Sequence, residues 1–210
     1  MKKGLFITFE GGEACGKSTQ IKLLKDYIAS RPDKENFVFI REPGGTKLGE
    51  NIRELLLNYE EDSPTPKSEL LLFLASRAQL FEKVILPALN EGKTVIADRF
   101  FDSTVAYQGF ARNILNANEI LDLHKIILGN FKPDLTFYLK ISPVEAFKRK
   151  AILPTLDRME KENMDFHQKV FEGYNYLSKI DDKRYVVLDA TLPINNIHEM
   201  IIDKIKEKLR

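Results

Sequence analysis

Residues 11–18 read GGEACGKS and fit the spacing G-x-x-x-x-G-K-[ST], with Gly11, Gly16, Lys17 and Ser18 in the fixed places. That spacing suits a polyphosphate. Its closely spaced negative charges can be surrounded by backbone N–H groups at a helix N-terminus, where first-turn donors have no partner in the helix. Glycine lets the backbone come close. Lys17 would reach the β- and γ-phosphates, and the Ser18 hydroxyl would ligate Mg²⁺. A bare glycine turn would match by chance at about the one-percent level in 200 residues. Here the match follows an apolar run, LFITFE, and opens a helical stretch, KSTQIKLLKDYI. A nucleoside triphosphate is therefore the expected ligand. Cys15, inside the loop, reads as a small residue that fits there. With no second cysteine, a redox role has no support.

A second constellation is DRFFDSTVAYQ at 98–108, straight after the apolar run TVIA. A carboxylate at a strand end beside the phosphate loop can bind Mg²⁺ directly or through water, which makes Asp98 a metal candidate. Arg99 offers a planar fork of donors for a second phosphate. An Asp-Arg pair is otherwise a surface ion pair. The carboxyl end of a buried strand, where open α/β sheets place ligands, favours the site. Arg41 and Arg53, read singly, are surface charges. Phe73 and Arg77 lie four residues apart on one helical stretch and share a face. Together they could stack on a base and bond its carbonyl edge, although spacing alone favours a core Phe and a snorkelling Arg.

These residues need a scaffold. Short runs rich in Val, Ile, Phe or Tyr recur at Leu5–Phe9, Phe37–Ile40, Thr94–Ala97, Leu135–Ile141 and Tyr185–Leu188. Most lack clean alternation, as expected of strands buried on both faces of a parallel sheet. Helical periodicity marks 17–30, 47–58, 68–90, 101–112, 117–128, 142–150, 158–179 and 194–209, with starts at Ser68, at Ser142-Pro143 and at Pro193. Strands alternating with helices predict an α/β fold with a mostly parallel sheet. Residues 59–67 and 150–157 read as loose.

Composition narrows the function. The 210 residues suit one domain, with 43% apolar and 30% charged residues. Lys plus Arg (32) nearly balances Asp plus Glu (31), which excludes a uniformly basic nucleic-acid coat and an acidic tail. The lone cysteine makes no intrachain disulfide, so a reducing compartment fits. The apolar run after the N-terminal lysines is too short for a secretory signal, and no stretch is long enough for a membrane span. A cytoplasmic protein is expected, with neither membrane nor nucleic acid as partner.

With its segments FEGGEACGKSTQ (9–20), REPGGT (41–46), LLLFLASRAQ (70–79), DRFFDSTVAYQG (98–109) and LDRME (156–160), the chain resembles bacterial thymidylate kinases over nearly its full length. REPGGT with DR-x-x-x-S-x-x-AYQG carries the resemblance, since a phosphate loop alone would not. It implies a P-loop NTPase fold: a five-stranded parallel sheet, helices on both faces and a short lid at about 148–158, all one domain over 1–210. It implies transfer of the ATP γ-phosphate to dTMP, giving dTDP and ADP on the route to dTTP, with Mg²⁺ as cofactor and a homodimeric assembly. By position, Gly11, Gly12, Glu13, Ala14, Cys15, Gly16, Lys17, Ser18 and Thr19 would hold ATP. Glu13 would also lie near the acceptor deoxyribose. Arg53 and Arg99 would reach the acceptor phosphate, Phe73 would stack on thymine, and Arg77 would read its carbonyl edge. Thr104, Tyr107 and Gln108 would line the base and sugar pocket. Thr104 and Gln108, at i and i+4, share a face of the 101–112 helix. Members without an arginine in the phosphate loop usually carry several in the lid. Arg149 is the lid cation expected here, with Lys150 and Arg158 beside it.

The attacking group in such a reaction is a phosphate oxygen already ionised at neutral pH, so no general base is needed. The histidines, His124, His167 and His198, fall outside every motif and are expected on helix surfaces or in polar contacts. Lys17, Arg99 and Arg149 are the expected catalytic cations, and Ser18 and Asp98 the metal ligands. Kinases for other monophosphates, a nucleotide-controlled switch and an inactive paralogue are the alternatives. Arg53, Arg77 and Arg99 argue against a switch, which has no acceptor to bind.

Overall fold

The computed structural model describes residues 4–58, 63–150 and 157–209. The elements in chain order are β1 (Phe6–Glu10), α1 (Lys17–Ala29), β2 (Phe37–Arg41), α2 (Lys47–Leu57), α3 (Pro66–Leu80), α4 (Leu86–Asn90), β3 (Thr94–Asp98), α5 (Phe101–Thr104), α6 (Ala117–Leu128), β4 (Leu135–Lys140), α7 (Pro143–Lys150), α8 (Met164–Ile180), β5 (Tyr185–Asp189) and α9 (Ile194–Leu209). The five strands form one sheet in the order β2-β3-β1-β4-β5, and every neighbouring pair is parallel.

Alternation along the strands explains the apolar runs. Ile7, Phe9, Ile96, Leu135, Phe137 and Leu139 point to one face, where α1 and α9 cover them with Ile21, Leu24, Ile28, Ile197, Ile201 and Ile205. Phe6, Val95 and Ala97 point to the other, beneath Leu80, Phe81, Ile85 and Leu89. Tyr138 packs there with Tyr174 and Leu177 of α8. On β1, β3 and β4 both faces are covered, so apolar residues dominate both sets of positions, with Thr8, Thr94, Thr136 and Glu10 the buried polar exceptions. The fold is the predicted α/β one.

Several boundaries differ from the periodicity. The third helix starts at Pro66, not after Ser68, because Thr65 caps it by accepting from the Ser68 backbone N–H and proline is suited to the first turn. The stretch predicted as one helix to residue 90 widens into a π segment at Phe81–Ile85. Pro87 lies in the following turn. It lacks the N–H of a regular helix and would crowd the preceding carbonyl, which a widened turn relieves. The helix predicted at 101–112 is α5 followed by a π segment, Val105–Ala111. That segment lies against α8 at Gly173, where a Cβ would stand 2.8 Å from the Ala106 Cα. α8 begins at Met164 instead of 158, because Asn163 caps it through the Phe166 N–H, 2.9 Å away. His124 and His167 are buried, not surface residues. His124 packs on the Phe101 ring and His167 between Phe147 and Phe166. Each ring fills a helix's apolar stripe, a role its polarity hides in the sequence.

One buried carboxylate ties the sheet to the segment after β3. Glu10, the last residue of β1, has no exposed surface. It accepts from the Phe100 N–H (2.8 Å), the Ser103 hydroxyl (2.7 Å) and the Tyr174 hydroxyl (3.0 Å). Burial pushes its pKa up to about 8, and the negative Asp102 adds to this. The Ser103 bond, Arg99 and the Phe100 N–H only partly oppose the rise.

The sign of the linkage follows. Between about pH 5 and pH 8 Glu10 keeps its proton when folded and loses it when unfolded, so stability falls as pH rises through that window. In Glu10→Gln an amide NH₂ stands where the protonated oxygen stood. The urea midpoint of the native chain should fall between pH 5.5 and 8.5, and that of Glu10→Gln should fall less. Parallel slopes would show that Glu10 is ionised in the native state.

Candidate active site

The phosphate loop joins β1 to α1. Gly16 stands at φ 88° before the first helical residue, Lys17, and Gly11 at φ 150°. A Cβ on Gly11 would stand 2.8 Å from the Leu139 carbonyl oxygen, so this position requires glycine. The loop lines a hollow of about 530 Å³, with Gly12 through Gln20 on one side and Arg149, Ala190, Leu192 and Ile194 on the other. Lys17 is buried and its Nζ pairs with Asp98, the last residue of β3. Burial tends to lift the Asp98 pKa, but Lys17, Arg99 and Arg53 outweigh it and hold the carboxyl below its usual range. Ser18 and Thr19 are exposed at the loop mouth. Cys15 turns into the core, where burial pushes its thiol pKa up and makes it a poor nucleophile.

A second cavity of about 300 Å³ opens beside the first. Its lining includes Arg41, Arg53 and Arg99 together with Phe73, Arg77, Thr104, Tyr107 and Gln108. The two cavities share Glu13, Lys17, Ser18, Arg99 and Glu160. Every sequence-predicted acceptor residue, from Glu13 to Gln108, therefore lines this one space. Thr104 and Gln108 both reach it although a π segment, and not the predicted α-helix, carries Gln108.

Arg99 is held from several sides. Its NH1 donates to the Gly11 carbonyl (2.8 Å), the Tyr174 hydroxyl (3.1 Å) and Ser103 (3.4 Å). Its NH2 pairs with Glu13 Oε1 at 2.7 Å. Tyr107 donates to the same oxygen. Burial opposes the charge on Glu13, but Arg99, Tyr107, Lys17 and His167 outweigh it, so the carboxyl stays below its usual range. Arg53 donates to the Pro43 carbonyl at 3.0 Å. Burial and the nearby Arg41 lower its pKa, and Glu50, Asp157 and Asp98 only partly oppose the fall.

Arg77 is neither a snorkelling surface residue nor free. It is 2% exposed, and its Nε donates to Glu42 Oε2 (2.7 Å) while NH1 donates to Thr104 Oγ1 (2.9 Å). Those contacts and the NH2–Glu42 pair use three of its five N–H groups. Phe73 is half-buried at the cavity wall.

The residues predicted for the lid divide. Residues 151–156 and the Lys150 side chain lie outside the described residues. Arg149 donates to the Ala190 carbonyl (2.8 Å) on the phosphate-loop hollow and does not line the second cavity. Arg158 is bonded to the Leu56 carbonyl (2.9 Å) and paired with Glu69. The carboxylates that hold the site together, Glu10, Glu42 and Glu69, are not among the sequence-predicted site residues. A charged residue closing an apolar strand was a signal for Glu10, and the REPGGT segment contains Glu42. Glu69 had no signal.

A family model described as thymidylate kinase matches residues 9–201. The thymidylate kinase of Thermoanaerobacter sp. (strain X514) is 45% identical over 207 residues, covering 99% of this chain and 100% of the relative. That of Kosmotoga olearia is 44% identical over 198 residues, covering 94% of this chain and 93% of the relative. A crystal structure of thymidylate kinase from Ehrlichia chaffeensis superposes with a TM-score of 0.79 at 34% identity, covering 97% of this chain and 99% of that one. With these cavities on this sheet, and with relatives that match it from end to end, the chain belongs to the thymidylate kinase family.

Proposed function

We infer that this chain transfers the γ-phosphate of ATP to dTMP, giving dTDP and ADP, a step toward dTTP. The observation that carries this reading is the meeting of the two cavities at Lys17 and Arg99. ATP phosphates in the loop and a monophosphate in the second cavity then face each other across two cations. Gly11 to Thr19 hold the triphosphate, and Arg149 lies on the nucleotide side. Arg53 and Arg99 hold the acceptor phosphate, Glu13 and Tyr107 meet its sugar, and Phe73, Arg77, Thr104 and Gln108 receive the base.

Ser18 and Asp98 offer a hydroxyl and a carboxylate, the oxygen donors Mg²⁺ prefers. Among the described residues no cluster of three or more His, Cys, Asp or Glu side chains could hold a metal. That fits an ion bound mostly by substrate phosphates. When bound, Mg²⁺ neutralises charge on the ATP phosphates. The chain's own residues do the rest. Lys17 leaves Asp98 for a phosphate oxygen, and Arg99 shares its guanidinium between Glu13 and the acceptor. Both act in a partly buried site, where a fixed charge is worth more than in water. The acceptor oxygen is already ionised, so positioning replaces proton removal.

We also propose that the enzyme works in the cytoplasm, as its single buried thiol suits, and pairs with a second copy. Exposed apolar side chains on two helices in contact, Leu71 of α3 and Ile126 of α6, support the pairing.

A coupled ADP-release assay with ATP, Mg²⁺ and a panel of dTMP, dUMP, dCMP, dGMP and AMP tests the reading. Fast turnover with dTMP is expected, and slow turnover independent of any acceptor would refute it. Lys17→Ala should lower kcat about a hundredfold or more with the fold intact, as measured by circular dichroism. Near-native turnover would remove Lys17 from the phosphate site. Arg77→Ala alone would leave Glu42 buried and unpaired, which costs about 3–5 kcal/mol. The cleaner variant is Arg77→Leu with Glu42→Gln. It should raise the dTMP KM about tenfold to a hundredfold, the loss of a charged hydrogen bond, and leave the ATP KM near its native value. Equal losses for both substrates would assign Arg77 a structural role.

A further inference from the structure

Gln108 lines the acceptor cavity, yet its side-chain amide is fixed from behind. Its Nε2 donates to Glu69 Oε1 at 2.8 Å. Glu69 lies in the first turns of α3, is wholly buried and touches no part of either cavity. Two guanidiniums face the same carboxylate. Arg112 donates to Oε1 at 3.3 Å and to Oε2 at 3.4 Å, and Arg158 pairs with Oε2. A carboxylate between two guanidiniums accepts and does not donate, so the Gln108 NH₂ must point at Glu69. The amide carbonyl is then the end left for the cavity. Arg77, two of whose N–H groups are uncommitted, stands in the same wall.

We propose that Glu69 sets the base preference of this enzyme, as a positioning residue, by locking Gln108 with its carbonyl toward the substrate. The wall then presents a donor, Arg77, beside an acceptor, Gln108. A pyrimidine with a 4-carbonyl and an N3–H complements both. Cytosine reverses both groups, with a 4-amino donor and an N3 acceptor, and meets like with like. A site built to bond a particular polar edge rejects its inverse strongly, because buried groups are left unpaired. The inference rests on dTMP occupying the second cavity.

Replacing the carboxylate with an amide frees the lock. In Glu69→Gln the arginines hold the remaining carbonyl on the Oε2 side, which turns the new NH₂ toward Gln108. Gln108 then flips to accept, and its own NH₂ faces the cavity. The readout is kcat/KM for dTMP against 5-methyl-dCMP, which keeps the methyl and the shape and inverts only the polar edge. The dTMP to 5-methyl-dCMP ratio should fall at least about tenfold in Glu69→Gln. The loss on dTMP should lie mainly in KM, with the ATP KM unchanged. Arg112→Lys disturbs the same cluster but keeps the Glu69–Gln108 bond, so it should retain the native ratio.

A folded Glu69→Gln with the native ratio, or an equal drop in Arg112→Lys, would overturn the role of Glu69 alone. A native enzyme that does not prefer dTMP to 5-methyl-dCMP would overturn the placement of dTMP beneath it. If Glu69→Gln does not fold, the native protein still decides. The Gln108 side-chain NH₂ resonances should stay protected from exchange and shift little when dTMP binds, because they face Glu69. A large shift or rapid exchange would mean that the NH₂ faces the substrate and would overturn the proposal.

Discussion

A site for phosphoryl transfer must hold its cations in place before its anions arrive, and a half-buried cation without a partner is expensive. Here each of the central cations rests on a resident carboxylate: Lys17 on Asp98, Arg99 on Glu13 and Arg77 on Glu42. Two of those pairs stand where the cavities meet, so an incoming phosphate completes with each cation a site that the carboxylate has already positioned. Arg53 is different. Its hydrogen-bond partner among the described residues is the Pro43 carbonyl, and burial with Arg41 nearby works against its charge. Glu50, Asp157 and Asp98 only partly offset this, and under the proposed placement a monophosphate at Arg53 would add the balancing charge.

The same constraint reaches into the core. The Ser103 and Tyr174 hydroxyls both bond Glu10 and both lie within bonding distance of Arg99. A hydroxyl that donates to Glu10 keeps its lone pairs for the guanidinium. Glu10 thereby orients the acceptors around Arg99 without touching it, as Glu69 orients the amide of Gln108. Both are buried acidic residues one layer behind the cavity. Glu10 acts on the hydroxyls that hold Arg99, and Glu69 on the amide that lines the second cavity.

How much of this was legible in the sequence follows from distance along the chain. The phosphate loop lies within eight consecutive residues, so its spacing is visible. The strands were visible because burial on both faces leaves an apolar run. The residues of the second cavity are proposed as acceptor residues only through whole-segment resemblance, since Phe73 and Arg77 by spacing alone suit a core Phe and a snorkelling Arg. The pairings of the carboxylates are not legible: Glu42, Glu69 and Glu10 meet partners 35, 39 and 90 positions away, and a Glu carries no mark of its partner. The π segments leave no mark on a 3.6-residue period, and the buried histidines are hidden because polar side chains usually lie at the surface.

Strain at one residue joins these arguments. Asp98 and Arg99 are consecutive, and both line the acceptor cavity. Continued as a strand, they would point to opposite faces of the sheet, one toward the nucleotide and the other into a packed layer. The chain avoids this by placing Arg99 in the left-handed region at φ 69°. For a non-glycine residue that conformation costs about 1–2 kcal/mol. Glycine would remove the strain, but it would also remove the guanidinium that bridges the two cavities. The backbone N–H of Arg99 bonds the Phe9 carbonyl at 3.0 Å, and its side chain bonds Gly11, Glu13 and Tyr174. The first of these bonds ends the β1–β3 ladder, and the side-chain bonds hold the turn that follows it. The strain and the bonds that offset it sit on one residue, and the result is that Asp98 and Arg99 line the same cavity side by side.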